Sequence, residues 1–326
     1  MVTKEETHTV NIDEEEEDED YDESDHCFTK CISYFLVSLI SCILVVAYYI
    51  TVVELCIFTV EPLALKLTFL VTFHLFYILC VWSFLRTILS RPVTPPAKFC
   101  LSESDKKLYL SEESQEKKQE ILVHAAKDLP IYTRDRKGDV RYCEKCQVLK
   151  PDRCHHCPVC NVCILKLDHH CVFLSNCVGF SNYKFFLLSV GYGLLLSIMT
   201  SAMSFYCLKL FWTNRLPETD SKAPITYQAW ISTVLSLIFF PFLYSHLVLA
   251  SNNITAMSDG DEDDDDKHKA GKHSKMYDLG FSKNIRQVFG DKKIYWLFPI
   301  FSSLGDGFSF PRGDATDIEK NAATDN

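Results

Sequence analysis

A stretch rich in cysteine and histidine constrains the fold of this chain of 326 residues more than any other feature. Residues 143–182 contain eight cysteines and four histidines and read CEKCQVLKPDRCHHCPVCNVCILKLDHHCVFLSNCVGFSN. Cysteines two residues apart let a tight turn present two thiolates to one metal ion, and tetrahedral zinc needs four such sulfur or nitrogen ligands. The stretch therefore predicts zinc sites. A disulfide framework is the weaker alternative, because we expect this part of the chain to face a reducing compartment.

The donors in this stretch suffice for two closed zinc sites. Each pair of neighbouring cysteines forms a knuckle that a downstream histidine and cysteine can complete. The predicted ligands are Cys143, Cys146, His156 and Cys163 for the first zinc and Cys157, Cys160, His170 and Cys177 for the second. Such interleaved pairing would hold short loops together without a large hydrophobic core.

The donors that remain after this assignment include a candidate catalytic group. Cys171 lies two residues after His169, which itself follows Asp168. A carboxylate that orients a histidine base, which in turn lowers the pKa of a thiol, activates a nucleophile. We therefore predict Cys171 as a nucleophile, His169 as its base and Asp168 as the residue that orients the base.

Four uncharged apolar runs indicate a membrane protein. Each is close to the roughly 20 residues that cross a hydrocarbon layer about 30 Å thick. Buried helices of a globular protein are the alternative, which four such runs in one chain disfavour. The runs are Cys31–Val53, Leu67–Leu85, Phe185–Leu208 and Ala229–Ala250. The predicted fold class is a mostly α membrane protein with four transmembrane helices and a cytosolic two-zinc domain between the second and third.

The distribution of Lys and Arg predicts the orientation and the domain boundaries. The long loop and the tail are rich in both residues and the short connections are poor in them, so the loop and both termini are expected in the cytosol. The formal charge of −10 comes largely from acidic runs, which favour solvated disorder and not nucleic-acid binding. The predicted segments are an acidic disordered N-terminus (1–30), helices one and two (31–85), the loop (86–184) with its zinc domain (about 141–182), helices three and four (185–250), and a tail (251–326) with a membrane-docked segment (about 281–310).

Prolines and charge patterning predict the structure that leads into the zinc domain. Pro92, Pro95 and Pro96 should end any helix that leaves the membrane. Residues Ser102–Leu129 then read as one amphipathic helix that lies across the cytosolic face.

The cysteine-rich block resembles the corresponding domain of the DHHC-type protein S-acyltransferases, or palmitoyltransferases. The tail also resembles a vertebrate subgroup that shares the pattern NxRQVFGDKKxYWLxPIFSSLGDGxSFP. The resemblance implies the same two-zinc assignment, a free Cys171 that carries the acyl group, and a tail segment that packs under spans three and four with Asn284 as its anchor. The shared residues are Cys143, Cys146, Pro151, Arg153, His156, Cys157, Cys160, Cys163, Asp168, His169, His170, Cys171, Cys177, Gly179, Asn182 and Phe186.

The chemistry that this resemblance implies is acyl transfer from a fatty acyl-CoA such as palmitoyl-CoA. The expected partners are the lipid bilayer, the acyl-CoA and substrate proteins with membrane-proximal cysteines, and the expected location is the Golgi, the endoplasmic reticulum or the plasma membrane. Cations would bind the CoA phosphates and an apolar cavity between the spans would hold the acyl chain. The candidates are Lys150, Arg153 and Lys166 for CoA, and Phe173, Ser189, Tyr192 and Leu196 for the acyl chain. A solvated loop face and ordinary helix packing are the respective alternatives.

Two departures from the family pattern leave other functions open. Val172–Asn176 replaces Pro-Trp-Val-Asn-Asn, and only Thr255 remains of a Thr-Thr-x-Glu element that residues 253–258 should contain. A catalytically weak or inactive scaffold is therefore one alternative, and a RING-like zinc adaptor without a nucleophile is another. A zinc transporter is a third, for which His74 and His246 within the spans are too few ligands.

Overall fold

The part of the chain that the structure describes contains seven α-helices. The computed structural model describes residues 23–135, 137–213, 222–257 and 276–313, with side chains from Phe28 onward. The acidic run Asp261–Asp266 lies outside these residues, as does the N-terminus up to residue 22. Residues 23–30, at the end of the predicted disordered N-terminus, are helical. The helices are α1 (Glu23–Tyr49), α2 (Leu63–Leu89), α3 (Glu103–Ser111), α4 (Gln115–Ala126), α5 (Tyr183–Trp212), α6 (Lys222–Asn252) and α7 (Phe281–Phe289).

The prediction of four membrane spans is confirmed. Each span is long and apolar enough to cross a bilayer, and each extends beyond the predicted run at both ends. The first span includes a π-helical segment, Ile50–Ile57, that continues α1. The spans are Phe28–Ile57, Leu63–Leu89, Tyr183–Trp212 and Lys222–Asn252.

Helix α5 lies at the centre of the membrane bundle. It packs extensively against α2 on one side and α6 on the other, and about half of the residues in its most apolar part are buried. Phe69 and Phe73 of α2 belong to the same buried cluster as Tyr192 and Leu196 of α5. Because α5 begins directly after the cysteine-rich stretch, this packing ties that stretch to the bundle.

The cysteine-rich stretch folds into three short antiparallel hairpins. Their strands contain only two or three residues each, and each hairpin forms a sheet of its own. The strands are β1 (Tyr142–Cys143) with β2 (Val148–Leu149), β3 (His155–Cys157) with β4 (Val162–Ile164), and β5 (His169–Cys171) with β6 (Asn176–Val178). A residue in the left-handed conformation closes each turn: Gln147, Asn161 and Ser175, with φ of 54°, 53° and 48°.

The hairpins repeat one another in register. Cys143, Cys157 and Cys171 recur at intervals of 14 residues, and each pairs across its hairpin with the residue five positions later. Sequence reasoning did not predict these strands, although the spacing of the cysteines carries the repeat. Strands this short have little stability by themselves, so other interactions must hold them.

Two asparagines attach the third hairpin to the membrane bundle. The Asn176 amide donates to the carbonyl oxygens of Thr87, Ile88 and Ser90 at 2.9–3.1 Å. The Asn182 amide donates to Thr87 and to the Cys177 carbonyl. These bonds satisfy carbonyls that would otherwise lack partners at the C-terminal end of α2. The third hairpin is thereby fixed at the edge of the bundle.

The prediction of one helix over Ser102–Leu129 is wrong, because the segment contains two helices, α3 and α4. The chain is extended at Glu112, with φ −86° and ψ 135°. The Glu112 carboxylate accepts the N–H groups of Glu113 and Ser114 at 3.2 Å, which stabilises this break. The break lets Tyr109 of α3 and Leu122 of α4 enter one buried cluster.

The tail packs against α5 and α6, as the family resemblance implied. Asn284 of α7 is fully buried, and its amide donates to the Ser251 carbonyl at 2.7 Å and to Asp278 at 2.6 Å.

Lys184 of α5 provides a second buried anchor for the tail, because its side chain is only 2% exposed. Its ammonium group donates to three oxygen atoms of the tail at 2.7–2.9 Å, namely the carbonyls of Tyr295 and Ile300 and the hydroxyl of Ser302. These buried polar contacts hold the tail beneath the bundle.

We predict that Asn284→Ala lowers the stability of the purified protein by about 1–3 kcal/mol, because buried polar partners lose their hydrogen bonds. Thermal unfolding in detergent measures this change. Ser282→Ala, on the exposed face of the same helix, is the matched control and should leave the unfolding temperature unchanged. Equal effects of the two substitutions would contradict an anchoring role for Asn284.

Candidate active site and zinc centres

The structure brings the eight predicted zinc ligands together in two groups of four. In the first group, His156 Nδ1 lies 3.5, 3.3 and 4.0 Å from the sulfur atoms of Cys143, Cys146 and Cys163. The second group repeats this geometry around His170 Nδ1, with sulfur atoms at 3.6, 3.5 and 3.3 Å. Those sulfurs belong to Cys157, Cys160 and Cys177.

Five of these six separations fall within the range for tetrahedral zinc, and the sixth, to Cys163, is slightly longer at 4.0 Å. Two ligand atoms bound to one zinc ion at about 2.0–2.3 Å lie about 3.3–3.8 Å apart. Both groups combine three sulfurs with one imidazole nitrogen, which is the donor set of closed structural zinc sites. Each group could therefore hold one zinc ion, with no position left for a reactant.

The repeat explains why Cys171 belongs to neither group. Each group takes the knuckle of one hairpin and then a histidine and a cysteine of the next hairpin. The third hairpin has no successor among the described residues, and Leu174 stands where the other hairpins carry their second knuckle cysteine. Cys171 is thus the first cysteine of a knuckle that cannot close on metal.

Asp168, His169 and Cys171 are adjacent in the arrangement that the sequence predicted. His169 Nδ1 lies 2.7 Å from Asp168 Oδ2. A carboxylate can only accept, so Nδ1 carries the proton and Nε2 is left to face the thiol. Burial disfavours the imidazolium, but hydrogen bonds to Asp168 and Cys171 outweigh it and raise the pKa of His169 to about 9.

Backbone contacts hold Asp168 from the other side. The carboxylate is 1% exposed, and its Oδ1 accepts the backbone N–H of Ala256 at 3.0 Å. Ala256 belongs to the segment that departs from the family's Thr-Thr-x-Glu element. Because the contact uses the main chain, that departure leaves this support of Asp168 in place.

The thiol of Cys171 lies at the edge of the membrane bundle. It is half-buried and packs against an apolar cluster to which all four spans contribute. The contributors include Leu44 of α1, Phe84 of α2, Leu187 of α5 and Leu243 of α6. A group attached to this sulfur can therefore reach apolar surroundings directly.

Comparison with known proteins identifies the family. The model of the DHHC palmitoyltransferase family matches residues 136–260. The chain is 46% identical over 273 residues to palmitoyltransferase ZDHHC2 of Danio rerio, which covers 83% of this chain and 74% of the relative. It is 44% identical over 288 residues to palmitoyltransferase ZDHHC20 of Homo sapiens, which covers 87% and 78%. The chain belongs to the DHHC palmitoyltransferase family.

The three cations predicted to bind CoA occupy different environments in this DHHC domain. Lys150 is half-buried near the first zinc group. Arg153 is 6% exposed, and its guanidinium donates to the side chain and the carbonyl of Asn253 at 3.0 and 2.8 Å. These bonds hold the guanidinium inside the protein, and its contact with CoA stays a prediction. Lys166 lies over the ring of Phe310, and burial lowers its pKa well below the usual value.

The residues predicted to line the acyl cavity are only partly together. Phe173 is 55% exposed beside Cys171. Tyr192 and Leu196 are buried in the packing of α5 against α2, and the Tyr192 hydroxyl donates to the Leu297 carbonyl. The carbonyl of Ser189 accepts the Cys80 thiol at 3.9 Å. These are contacts of packed helices, and the acyl-binding role of the four residues stays a prediction.

One polar residue next to the site was missed from the sequence. His246 of α6 is 6% exposed, and its Nδ1 lies 3.7 Å from Asp168 Oδ2. The centre of its ring lies 5.6 Å from that of His169, and Phe186 contacts both rings. A histidine within an apolar span is a signal of function, but nothing in its local sequence relates it to Asp168.

We predict that the purified protein contains two zinc ions per chain and that Cys160→Ser lowers the content to about one. Cys154→Ala is the control, since Cys154 is a buried cysteine outside both groups. Elemental analysis measures the zinc content. An unchanged content in Cys160→Ser would show that the second group is not a zinc site.

We also predict that Asp168→Asn slows autoacylation and moves the rising limb of its pH profile to lower pH. The carboxylate raises the pKa of His169, and the base is active only when neutral, so its removal lowers the pH at which the base becomes available. Autoacylation rates between about pH 6 and 10 measure both effects. Asp128→Asn, on an exposed surface, should leave the limb in place.

Proposed function

We propose that this chain is a protein S-palmitoyltransferase that transfers a long acyl chain from acyl-CoA to protein cysteines through an acyl-Cys171 intermediate. The observation that carries this proposal is a thiol outside both zinc groups, beside a histidine–aspartate pair and against the apolar interior of four spans. Membership of the DHHC palmitoyltransferase family supports the same activity.

The first half-reaction loads the enzyme. His169 Nε2 accepts the proton of the Cys171 thiol, and the thiolate attacks the thioester carbonyl of the acyl-CoA. The tetrahedral intermediate then breaks its bond to the CoA sulfur, which leaves as a thiol after it takes the proton from His169. Asp168 holds the Nδ1 proton throughout and stabilises the imidazolium that forms.

The second half-reaction transfers the acyl group. The thiol of a target protein gives its proton to His169 and attacks the acyl-Cys171 thioester. Collapse of the intermediate forms the new thioester, and Cys171 recovers its proton from His169. The first product leaves before the second substrate reacts, so we expect ping-pong kinetics.

The position of Cys171 suits lipid-linked substrates. The acyl chain of the donor can enter the apolar cluster at the edge of the bundle, and Phe173 is exposed beside the thiol to contact it. We propose Lys150 as the first of the three candidate cations for the CoA phosphates, since Arg153 is engaged with Asn253 and burial disfavours the charged form of Lys166. Target cysteines must approach at the same membrane edge, which favours cysteines close to the bilayer.

The zinc ions would serve as structural elements. Each would be held by three thiolates and one imidazole, and its chemistry there is to neutralise those thiolates and fix the hairpins. His170 and Cys177 flank Cys171 in the third hairpin. Loss of zinc from the second group should therefore displace the nucleophile.

The orientation and location of the protein belong to the same proposal. The zinc domain and both termini face the cytosol, where acyl-CoA and protein thiols are available, in agreement with the distribution of Lys and Arg. We propose membranes of the Golgi, the endoplasmic reticulum or the plasma membrane as its site of action.

The proposal competes with functions that need no nucleophile. A RING-like adaptor or an inactive scaffold would use the zinc hairpins alone and would leave the Asp168–His169 pair without a role. A zinc transporter would need ligands across the spans, but His74 bonds to Tyr48 and to the Leu70 carbonyl within the bundle. The geometry around Cys171 favours the acyltransferase.

We predict that wild-type protein incubated with labelled palmitoyl-CoA acquires a label that hydroxylamine releases, and that Cys171→Ser loses it by at least about 100-fold. Purified protein in detergent and gel-based detection suffice. Cys100→Ser, which removes an exposed cysteine elsewhere, should keep the label. A label that resists hydroxylamine, or none on protein with both zinc groups filled, would refute the mechanism.

A further inference from the structure

We propose that Asp168, His169 and His246 form a third metal site, which binds Zn²⁺ reversibly and blocks acyl transfer while it is filled. The effect on acyl transfer rests on the proposed function, whereas the binding of metal does not. The proposed site is separate from the two sulfur-rich groups, because none of its three residues is among their eight ligands.

The distances between the donor atoms suit a single ion. One donor atom from each of the three residues lies within 4.8 Å of the others. Asp168 Oδ2 is 2.7 Å from His169 Nδ1 and 3.7 Å from His246 Nδ1. Ligands of tetrahedral zinc at about 2.0–2.1 Å stand about 3.3 Å apart, so the two distances lie on either side of the required value. For these two pairs, a change of about half an ångström in each distance would reach that value.

The donor chemistry favours zinc over calcium or magnesium. Two imidazoles and one carboxylate with a free fourth position are the ligands of open zinc sites, whereas calcium and magnesium prefer oxygen. The absence of a thiolate from these three residues predicts weaker binding than at the sulfur-rich groups. This difference would let the third site fill and empty while the structural sites stay loaded.

His246 is available for this role. Its Nδ1 faces the Tyr183 hydroxyl at 3.5 Å and Asp168 Oδ2 at 3.7 Å, both longer than a strong hydrogen bond. The rings of Phe186 and Phe242 pack around it with centroids at 5.0 and 4.8 Å. An ionisable side chain inside a span is costly unless it has a partner. A cation bound to both His246 and the nearby Asp168 carboxylate would be such a partner.

A metal ion at this position is incompatible with the proposed mechanism. Bound to Nδ1 of His169, it takes the place of the proton that Asp168 holds there, and the ring then carries its proton on Nε2. A ring in that state cannot accept the proton of the Cys171 thiol. Removal of the ion restores Nε2 as a base, so the inhibition is reversible.

The first test measures metal binding without catalysis. Full-length Cys171→Ser protein, with its two sulfur-rich groups loaded, is dialysed against buffered free Zn²⁺ and its zinc is counted. We expect one additional zinc per chain, its loss in Cys171→Ser/His246→Gln, and its retention in Cys171→Ser/His74→Gln. His74 is the matched control because it also lies within a span and outside the site. No additional zinc, or one that survives His246→Gln, overturns the proposal.

A spectroscopic test covers the case in which His246→Gln fails to fold. Co²⁺ replaces Zn²⁺ as the probe in the Cys171→Ser protein with zinc in both sulfur-rich groups. Cobalt at the proposed site has nitrogen and oxygen ligands, so it should show ligand-field absorption without the intense charge-transfer band of cobalt thiolates. A thiolate band would place the additional metal on a cysteine and would overturn the assignment.

The second test measures inhibition. Autoacylation by palmitoyl-CoA is followed against buffered free Zn²⁺, and each variant is compared with its own rate without added zinc. Loss of a residue that supports a metal site typically costs about 10–100-fold in metal affinity. We therefore expect His246→Gln to raise the half-inhibitory concentration of Zn²⁺ by at least about 10-fold. His74→Gln should leave that concentration unchanged. Equal inhibition of the two variants overturns the proposal. If the protein does not autoacylate at all, the proposed function fails and the zinc count still decides the metal site.

Discussion

The two groups of four metal-binding donors, each shared between successive hairpins, are the constraint on which the rest of this structure depends. Strand pairs of two or three residues cannot stabilise themselves, and each four-donor group takes its ligands from two neighbouring hairpins. Zinc bound at these groups would therefore supply folding free energy to the whole domain. Because His170 and Cys177 lie on either side of Cys171 in the third hairpin, the same bonds would position the proposed nucleophile.

The attachment of the third hairpin to the membrane helices converts a zinc domain into a site for lipid chemistry. Asn176 and Asn182 bond to the carbonyls that end α2, and α5 begins at the next residue, Tyr183. The thiol is thus held against the apolar cluster of the bundle. A hairpin of the same sequence on a flexible linker would carry the same ligands but would not present its cysteine to an acyl chain.

The departures from the family pattern are accommodated for separate physical reasons. Ala256 supports Asp168 through its backbone N–H, so a change of side chain there is tolerated. Asn176 keeps the three bonds to α2 although the residues before it differ from the family. Phe173 keeps an exposed aromatic ring beside Cys171. The features that the chemistry needs are therefore retained, while the surrounding sequence varies.

The sequence by itself determined the four spans, the two ligand groups and the order Asp168–His169–Cys171, because each is encoded by composition or spacing within a short stretch. Only the tertiary structure decided which residues meet across the chain. Arg153 reads as a surface cation, but it bonds to Asn253, and His246 lies beside Asp168 from a different helix. The break between α3 and α4 likewise depends on how Glu112 bonds to the backbone. Contacts between distant segments follow from packing, and no local pattern encodes the packing of α6 against the zinc domain.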